Sequence, residues 1–150
     1  MSAVLPNIAP PVGGSNAALP PPTWENHAAR FSAKWDTAQV VITARGELDA
    51  SNATQFVDYF DLCINGSTPL IVDLSGLEFF GTAGFSALHL INVRCAGAKL
   101  RWAVVPSKAV SRLLGICDPD HALPLTKSVD AMPDADDEDA DQDRLFQLVP

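Results

Sequence analysis

The chain has 150 residues, of which 47% are hydrophobic and 19% are charged, and its formal net charge is −8. This length suits one domain, and this hydrophobic content supports a folded core, which excludes a disordered chain. Seven of the 18 acidic residues lie between Asp134 and Arg144, so the rest of the chain is close to neutral. No stretch concentrates the positive charge that phosphate neutralisation requires, and we therefore expect no direct binding to nucleic acid.

The two ends of the sequence differ in composition from its centre. Residues 1–22 hold six of the 12 prolines and no charged side chain, which is typical of a flexible leader. We predict a folded domain at residues 23–133 and an acidic C-terminal tail at residues 134–150. The sequence has neither an apolar run of signal-peptide type nor an uninterrupted apolar stretch of membrane-spanning length. We therefore predict a cytoplasmic protein that does not insert into membranes.

The reactive side chains suggest no catalytic, metal or cofactor site. The three cysteines are odd in number and widely spaced, which predicts reduced thiols rather than a disulfide framework or a zinc site. The three histidines are also far apart, with no ligand spacing to a cysteine or carboxylate. No glycine pattern matches a nucleotide-binding loop. We therefore expect neither a metal nor a cofactor, and we do not expect an enzyme.

The first half of the predicted domain contains two strands and a helix. Alternation of apolar and polar residues over 31–35 and a β-branched run over 40–44 predict two paired strands. Asp49 or Ser51 then provides the N-cap of a helix. Its apolar positions over 53–63 recur at helical spacing.

The second half predicts strands that alternate with helices. In chain order these are a buried strand at 70–72, a loop at 73–84, a helix ending at Gly97, a strand at 99–105, a helix from Ser107 to Gly115 and an edge strand at 122–125. Strand–helix–strand crossovers imply parallel pairing, with the helices packed against the sheet. The sequence therefore predicts an α/β sandwich whose mixed sheet has mostly parallel crossovers.

The segment before the second helix is the strongest functional candidate. A buried strand leads into a loop, and Thr82 lies where the next helix begins, a position that combines exposure, free backbone amides and the positive end of the helix dipole. A phosphate on Thr82 would accept hydrogen bonds there. Its charge of about −1.5 to −2 would oppose an acidic or apolar partner surface, which favours a reversible binding switch. The alternative is that Thr82 only caps the helix.

Two motifs at a fixed separation resemble a known family. Residues 72–88, together with Gly46-Glu47-Leu48-Asp49, resemble the STAS domain of bacterial anti-sigma-factor antagonists. The family pattern is approximately V-D-L-S-G-V-x-F-x-D-S-S-G-L-x-A-L. The positions that match it are Val72, Asp73, Leu74, Ser75, Gly76, Phe79, Gly84, Ala87 and Leu88. The resemblance covers residues 31 to 130 and implies a STAS-like α/β fold, in which helices flank a mixed sheet.

This resemblance implies a module that binds an anti-sigma factor of the GHKL serine/threonine kinase type. In the family, that kinase phosphorylates the hydroxyl residue after the loop Asp, which is Thr82 here. Two neighbours differ, because Gly81 replaces the Asp and Ala83 replaces the second Ser. The implied partner-binding residues are Gly81, Thr82, Ala83, Gly84, Phe85 and Ser86, with Glu47 and Asp49 nearby. The resemblance is also compatible with a homodimer.

Two other classes of function remain open. A STAS subunit of a transporter or a lipid-transport ATPase would use the same loop and helix for docking, without being phosphorylated. A small enzyme is the least favoured class, because no catalytic constellation is recognisable. A pull-down distinguishes these classes: a GHKL-type kinase partner supports the antagonist, and an ATPase or permease supports the transport subunit.

Overall fold

A computed structural model describes residues 19–130. The elements in chain order are β1 (Trp24–Glu25), β2 (Ala29–Trp35), β3 (Val40–Leu48), α1 (Ala53–Cys63), β4 (Leu70–Phe80), α2 (Thr82–Ala98), β5 (Trp102–Val105) and α3 (Lys108–Cys117). The strands form one sheet in the order β1-β2-β3-β4-β5. The β1–β2 and β2–β3 pairs are antiparallel, whereas β3–β4 and β4–β5 are parallel. The predicted α/β fold with a mixed sheet is therefore confirmed.

One face of the sheet packs against the helices and forms the main core. Alternate residues of β3, namely Val40, Ile42 and Ala44, are fully buried there. Phe31 of β2 contacts Phe56 of α1 edge to face, with ring centroids 5.1 Å apart. Side chains alternate between the two faces of a strand, and a helix buries one stripe of its side chains. The buried side chains of the strands and of the helices therefore meet in a single layer of apolar contacts.

The opposite face of the sheet, called the open face below, carries no helix of the described chain. A smaller apolar cluster on it consists of Ile71, Ala103, Val105, Val41 and Val129. The predicted edge strand at 122–125 is reduced to one parallel bridge between Val104 and Leu125. This short crossing brings the chain after α3 to the open face.

Strands β3 and β4 are longer than predicted. The predicted loop at 73–84 is wrong, because β4 continues to Phe80 and only Gly81 separates it from α2. Strand β3 likewise extends to Leu48, which pairs with Phe80. The β3–β4 ladder contains two register shifts, which allow both strands to continue through the glycine-containing segments where the sequence predicts a turn. The short strand β1 was not predicted at all.

Three helix ends also differ from the prediction. The N-cap position of α1 is Asn52, not Asp49 or Ser51. Helix α2 ends in a left-handed residue at Lys99 (φ 58°), not at Gly97. Helix α3 begins after Ser107 as predicted, and the Ser107 hydroxyl accepts a hydrogen bond from the Val110 amide over 3.2 Å. It then passes through Gly115 and ends at Cys117.

The predicted leader and tail fall mostly outside the described residues. All of 134–150 and most of 1–22 lie there, so these boundaries remain predictions. Near the start of the described chain, the hydroxyl of Tyr59 donates to the carbonyl oxygen of Pro21 over 3.3 Å.

All three cysteines are free; Cys63 and Cys95 are buried. Within residues 19–130, no helix has the length and apolar character needed to cross a membrane.

Candidate functional site

The carboxyl ends of β3 and β4 meet at one edge of the sheet. Glu47 pairs with Phe79 and Leu48 pairs with Phe80 in the parallel ladder. The amide of Gly81 then donates to the carbonyl oxygen of Leu48 over 3.0 Å, which extends this contact past the end of the strand. The segment that begins at Glu47 is thereby brought beside the start of α2.

Helix α2 begins without a side-chain cap. Gly81 occupies the N-cap position in an extended conformation (φ −94°, ψ 178°), and no side chain accepts from the first turn. The carbonyl oxygen of Gly81 accepts from the amides of Gly84 (2.9 Å) and Phe85 (3.2 Å). Thr82 is the first helical residue and is exposed. The interpretation of Thr82 as the helix cap is therefore wrong, and its hydroxyl faces solvent at the positive end of the helix dipole.

Gly84 allows α2 to start directly on the end of β4. A Cβ atom at position 84 would lie 2.5 Å from Cε1 and 2.8 Å from Cδ1 of Phe80. Real side chains do not approach this closely, and the Phe80 ring is itself 5% exposed and held by the core. Only glycine permits this approach of helix to strand, so Gly84 is buried beneath the site and shapes it.

Gly81 leaves space that an aromatic ring and a carboxyl side chain border. A Cβ atom at this position would lie 3.2 Å from Cε2 of Phe79 and 3.8 Å from Cβ of Asp49. An aspartate at position 81 would therefore place a second carboxylate close to Asp49, with a small displacement of the Phe79 ring. In the present chain the surface beside Thr82 has instead the ring of Phe79, which is 50% exposed.

A buried asparagine fixes the turn that carries Glu47 and Asp49. The side-chain oxygen of Asn52 accepts from the Asp49 amide over 3.0 Å, and its amide nitrogen donates to the Glu47 carbonyl oxygen over 2.9 Å. Asn52 is fully buried, so these two bonds satisfy polar groups that water cannot reach. Sequence reasoning missed this residue, although asparagine is among the types favoured at helix N-termini.

Asp49 is held in an ionised state by its neighbour. Its Oδ1 accepts from the hydroxyl of Ser51 over 2.6 Å and from the Ser51 amide over 2.9 Å. These hydrogen bonds, the one from the hydroxyl first, lower the pKa of the Asp49 carboxyl below its ordinary value. Asp49 therefore contributes a negative charge beside the start of α2 at neutral pH.

Gly46 sets the direction of Glu47. It adopts φ 95°, and a Cβ atom there would lie 2.3 Å from the carbonyl oxygen of Ala28. That same oxygen accepts from the Glu47 amide over 2.9 Å. Because a side chain at position 46 is excluded both by backbone conformation and by contact, the motif requires glycine here.

A groove between α1 and α2 adjoins the start of α2. It has a volume of about 420 Å³ and is lined by Ala50, Ala53, Thr54, Val57, Asp58, Ala83, Ser86, Ala87, Leu90 and Arg94. An ion pair between Arg94 and Asp61 joins the two helices. Small side chains form much of the groove, so it offers a partner a shallow surface that continues from Ser86.

The structure divides the predicted site residues into two groups. Thr82, Ser86 and Glu47 are exposed and accessible to a partner. Gly84 is buried, and Phe85 is half-buried with its ring 6.3 Å from that of His89, so both support the surface rather than form its centre. Among residues 19–130, no group of three or more metal-ligating side chains comes together.

Comparisons with known proteins identify the family. A family model described as "Mlab, STAS domain" matches residues 31–127. Osmosensory protein A of Mycobacterium tuberculosis is 38% identical over 93 residues, and the matched region spans 59% of each chain. Anti-sigma-F factor antagonist RsfA of the same species is 30% identical over 105 residues, which cover 67% of this chain and 81% of RsfA.

Solved structures share the fold. The crystal structure of an anti-sigma factor antagonist from Mycobacterium paratuberculosis has a TM-score of 0.58 and 23% identity, covering 71% of this chain and 96% of that one. A Thermotoga maritima protein described in the same terms has a TM-score of 0.56 and 20% identity, covering 67% and 88%. The family model that matches residues 31–127, together with the motifs at the ends of β3 and β4, leads to one conclusion: the chain belongs to the STAS domain family.

Proposed function

We propose that the protein is an anti-sigma factor antagonist, which acts in the cytoplasm by binding an anti-sigma factor of the GHKL serine/threonine kinase type rather than by catalysis. The observation that carries this proposal is the exposed Thr82 hydroxyl at the first residue of α2, beside Glu47 and Asp49. Support also comes from RsfA, a relative that is named as an antagonist of this kind.

The partner-binding surface in this proposal is the edge where β3, β4 and α2 meet. Thr82, Ser86 and Glu47 supply accessible polar groups, and the half-exposed ring of Phe79 supplies apolar area between them. Exposed aromatic rings of this kind are frequent anchors of protein interfaces. Gly81 and Ala83 keep the backbone close to the partner, and the buried Gly84 supports this surface from beneath.

Phosphorylation of Thr82 would switch this surface. The phosphate would accept hydrogen bonds from first-turn amides, which a helix N-terminus leaves without intrahelical partners. The fold would therefore tolerate the modification, while the added charge beside Asp49 would oppose a partner that has to cover it. Because Gly81 replaces the family's aspartate, the phosphoacceptor lacks the additional carboxylate that an aspartate at position 81 would place close to Asp49.

The test measures affinity for kinase-type anti-sigma factors encoded in the same genome, using purified full-length protein and isothermal titration calorimetry. Thr82→Glu is expected to weaken binding at least about tenfold, which corresponds to about 1.4 kcal/mol. Thr82→Ala is expected to retain affinity. Ser111→Glu is the matched control, because Ser111 is an exposed hydroxyl residue of α3, away from this edge of the sheet.

Labelling by the same kinase with ATP tests the switch itself. Label is expected on Thr82 in the wild type and is expected to vanish in Thr82→Ala. Gly81→Asp restores the family's acid and is expected to accelerate labelling. If neither protein is labelled and binding is indifferent to glutamate at position 82, the phosphorylation switch is wrong and a constitutive binding module remains.

A second candidate function has its own supporting observation. Osmosensory protein A is 38% identical to this chain, and its name does not refer to a sigma factor. A STAS subunit that docks on a transporter or a lipid-transport ATPase would use the same edge without phosphorylation. Affinity purification that recovers a permease or ATPase and no kinase favours this alternative. A homodimer would be detected as a doubled mass by light scattering of the purified protein.

A further inference from the structure

The open face of the sheet contains a groove with a cationic rim. The groove has a volume of about 400 Å³ and is lined by Ser32, Ala33, Lys34, Val41, Thr43, Arg45, Asp73 and Val129. Arg30 extends the same face, because it lies directly opposite Arg45 in the antiparallel β2–β3 ladder. None of the residues that line the groove belongs to the partner-binding edge proposed for Thr82.

The cations of this face lack partners within the described chain. Like charges directly opposite each other in a sheet are destabilising, and Arg30 and Arg45 are such a pair. Neither they nor Lys34 form an ion pair with another of residues 19–130, where the ion pair found is Arg94–Asp61.

Acidic residues also belong to the open face, but those that the structure describes form no ion pair with these cations. Asp73 accepts from the amide and the hydroxyl of its own neighbour Ser75, at 3.0 and 2.6 Å. Glu25 lies opposite Arg30 on the edge strand β1, and Glu47 lies farther along, where β3 ends. The cations at the centre of the face, Lys34 and Arg45, are thus left without an ion pair among residues 19–130.

The chain approaches this groove as it leaves the described region. Val129 packs on the open face, and its carbonyl oxygen accepts from the side-chain amide of Gln39 over 2.7 Å. Four residues beyond Asp130, at Asp134, begins the acidic run Asp134–Asp143, which has seven carboxylates. Four extended residues span about 14 Å, and Arg45 lies about 13 Å along β3 from Val41, which lines the same groove as Val129. A four-residue connection is therefore long enough to bring the start of the acidic run to the cations of this face.

We propose that the acidic run Asp134–Asp143 docks on the open face of the sheet, with its carboxylates against Lys34, Arg45 and Arg30. Charge complementarity and the short connection from Val129 carry this assignment, because a tethered segment has an effective concentration in the millimolar range. The docked segment would cover the face opposite the helices and leave the start of α2 free. This inference does not depend on the proposed antagonist function.

Zero-length cross-linking of the purified full-length chain tests the proposal. A water-soluble carbodiimide joins a lysine amine to a carboxylate in contact, and mass spectrometry locates the bond. Bonds between Lys34 and residues 134–143 are expected in the monomer, at least about fivefold more abundant than bonds from the exposed Lys99 and Lys108. They should disappear near 1 M salt, where the screening length is about 3 Å.

A charge reversal provides the matched comparison. Arg45→Glu is expected to reduce the Lys34 bonds about fivefold, because it replaces an attraction by a repulsion. Arg112→Glu makes the same change at an exposed residue of α3 and should have no effect. Urea unfolding of both variants checks that they fold. Bonds spread evenly over all lysines, bonds insensitive to salt and to Arg45→Glu, bonds found only in a cross-linked dimer, or the absence of bonds would each overturn the proposal.

Discussion

Replacing Gly84 by alanine should destabilise the protein, although alanine favours helices. The added Cβ would lie 2.5 Å from Cε1 of Phe80, whose ring is 5% exposed and has little space to move. Overpacking of this kind costs about 1–3 kcal/mol. The gain in helix propensity from glycine to alanine offsets about 1 kcal/mol of this. The expected net loss is about 0–2 kcal/mol of unfolding free energy.

The same helix contains the matched control. At Gly97 an added Cβ would meet nothing within 4 Å, so Gly97→Ala should leave stability unchanged or raise it by up to about 1 kcal/mol. Because both variants share the propensity gain, the difference between them, about 1–3 kcal/mol, measures the contact with Phe80.

Urea unfolding of the full-length protein, followed by tryptophan fluorescence, measures this difference. The midpoint of Gly84→Ala is expected to fall by up to roughly 1 M relative to the wild type and to lie roughly 0.5–1.5 M below that of Gly97→Ala, with an unchanged m-value. Phe80→Leu provides a further check, since a smaller side chain should reduce the cost of Gly84→Ala by a coupling energy of about 0.5 kcal/mol or more. If Gly84→Ala is as stable as Gly97→Ala, the close packing of α2 on β4 is refuted.

Three other predictions concern single side chains. Asn52→Ala leaves two peptide groups of the preceding turn without their partner and should cost about 2–3 kcal/mol in a urea titration. Ser51→Ala should raise the pKa of Asp49 toward its ordinary value, as measured in a carbon-detected NMR titration, because the hydrogen bonds from Ser51 stabilise the ionised carboxylate. Their contribution to folding stability is present above the pKa that Asp49 has in the unfolded chain, and it is lost as the pH falls through the lower pKa of the folded protein. Burial raises the pKa of Cys63 to about 12, so a disulfide reagent at pH 8 should modify the half-buried Cys117 first and reach Cys63 only on unfolding.

Local sequence patterns were sufficient for most elements of the fold. A β-branched run predicts the strand that begins at Val40, and apolar residues at helical spacing predict the helix over 53–63. Both predictions succeed because the apolar residues that one face buries recur with the period of the strand or helix itself. Ser107 likewise predicts the start of α3, since its capping hydrogen bond is made within three residues. The position of Thr82 at the start of a helix was also predictable from the sequence.

Contacts between distant segments decided what the sequence alone left open. Asp73, Ser75 and Gly76 favour a turn locally, yet β4 continues past them because β3 offers a hydrogen-bonding partner as far as Leu48. Helix α2 begins at Thr82 because Gly84 can sit on the Phe80 ring.

Contacts outside the local pattern also explain where α2 ends and why Asp49 lies close to Gly81. The helix passes Gly97 because the buried Leu100 anchors the chain after Lys99, with its amide donating to the carbonyl oxygen of Cys95 over 2.8 Å. Asp49 and Gly81 lie 32 positions apart in the chain, and only the parallel pairing of β3 with β4 brings them together. The sequence by itself therefore determined the element types and the exposed hydroxyl at Thr82. The tertiary structure decided where the elements end and which side chains surround that hydroxyl, because those depend on partners that no local pattern contains.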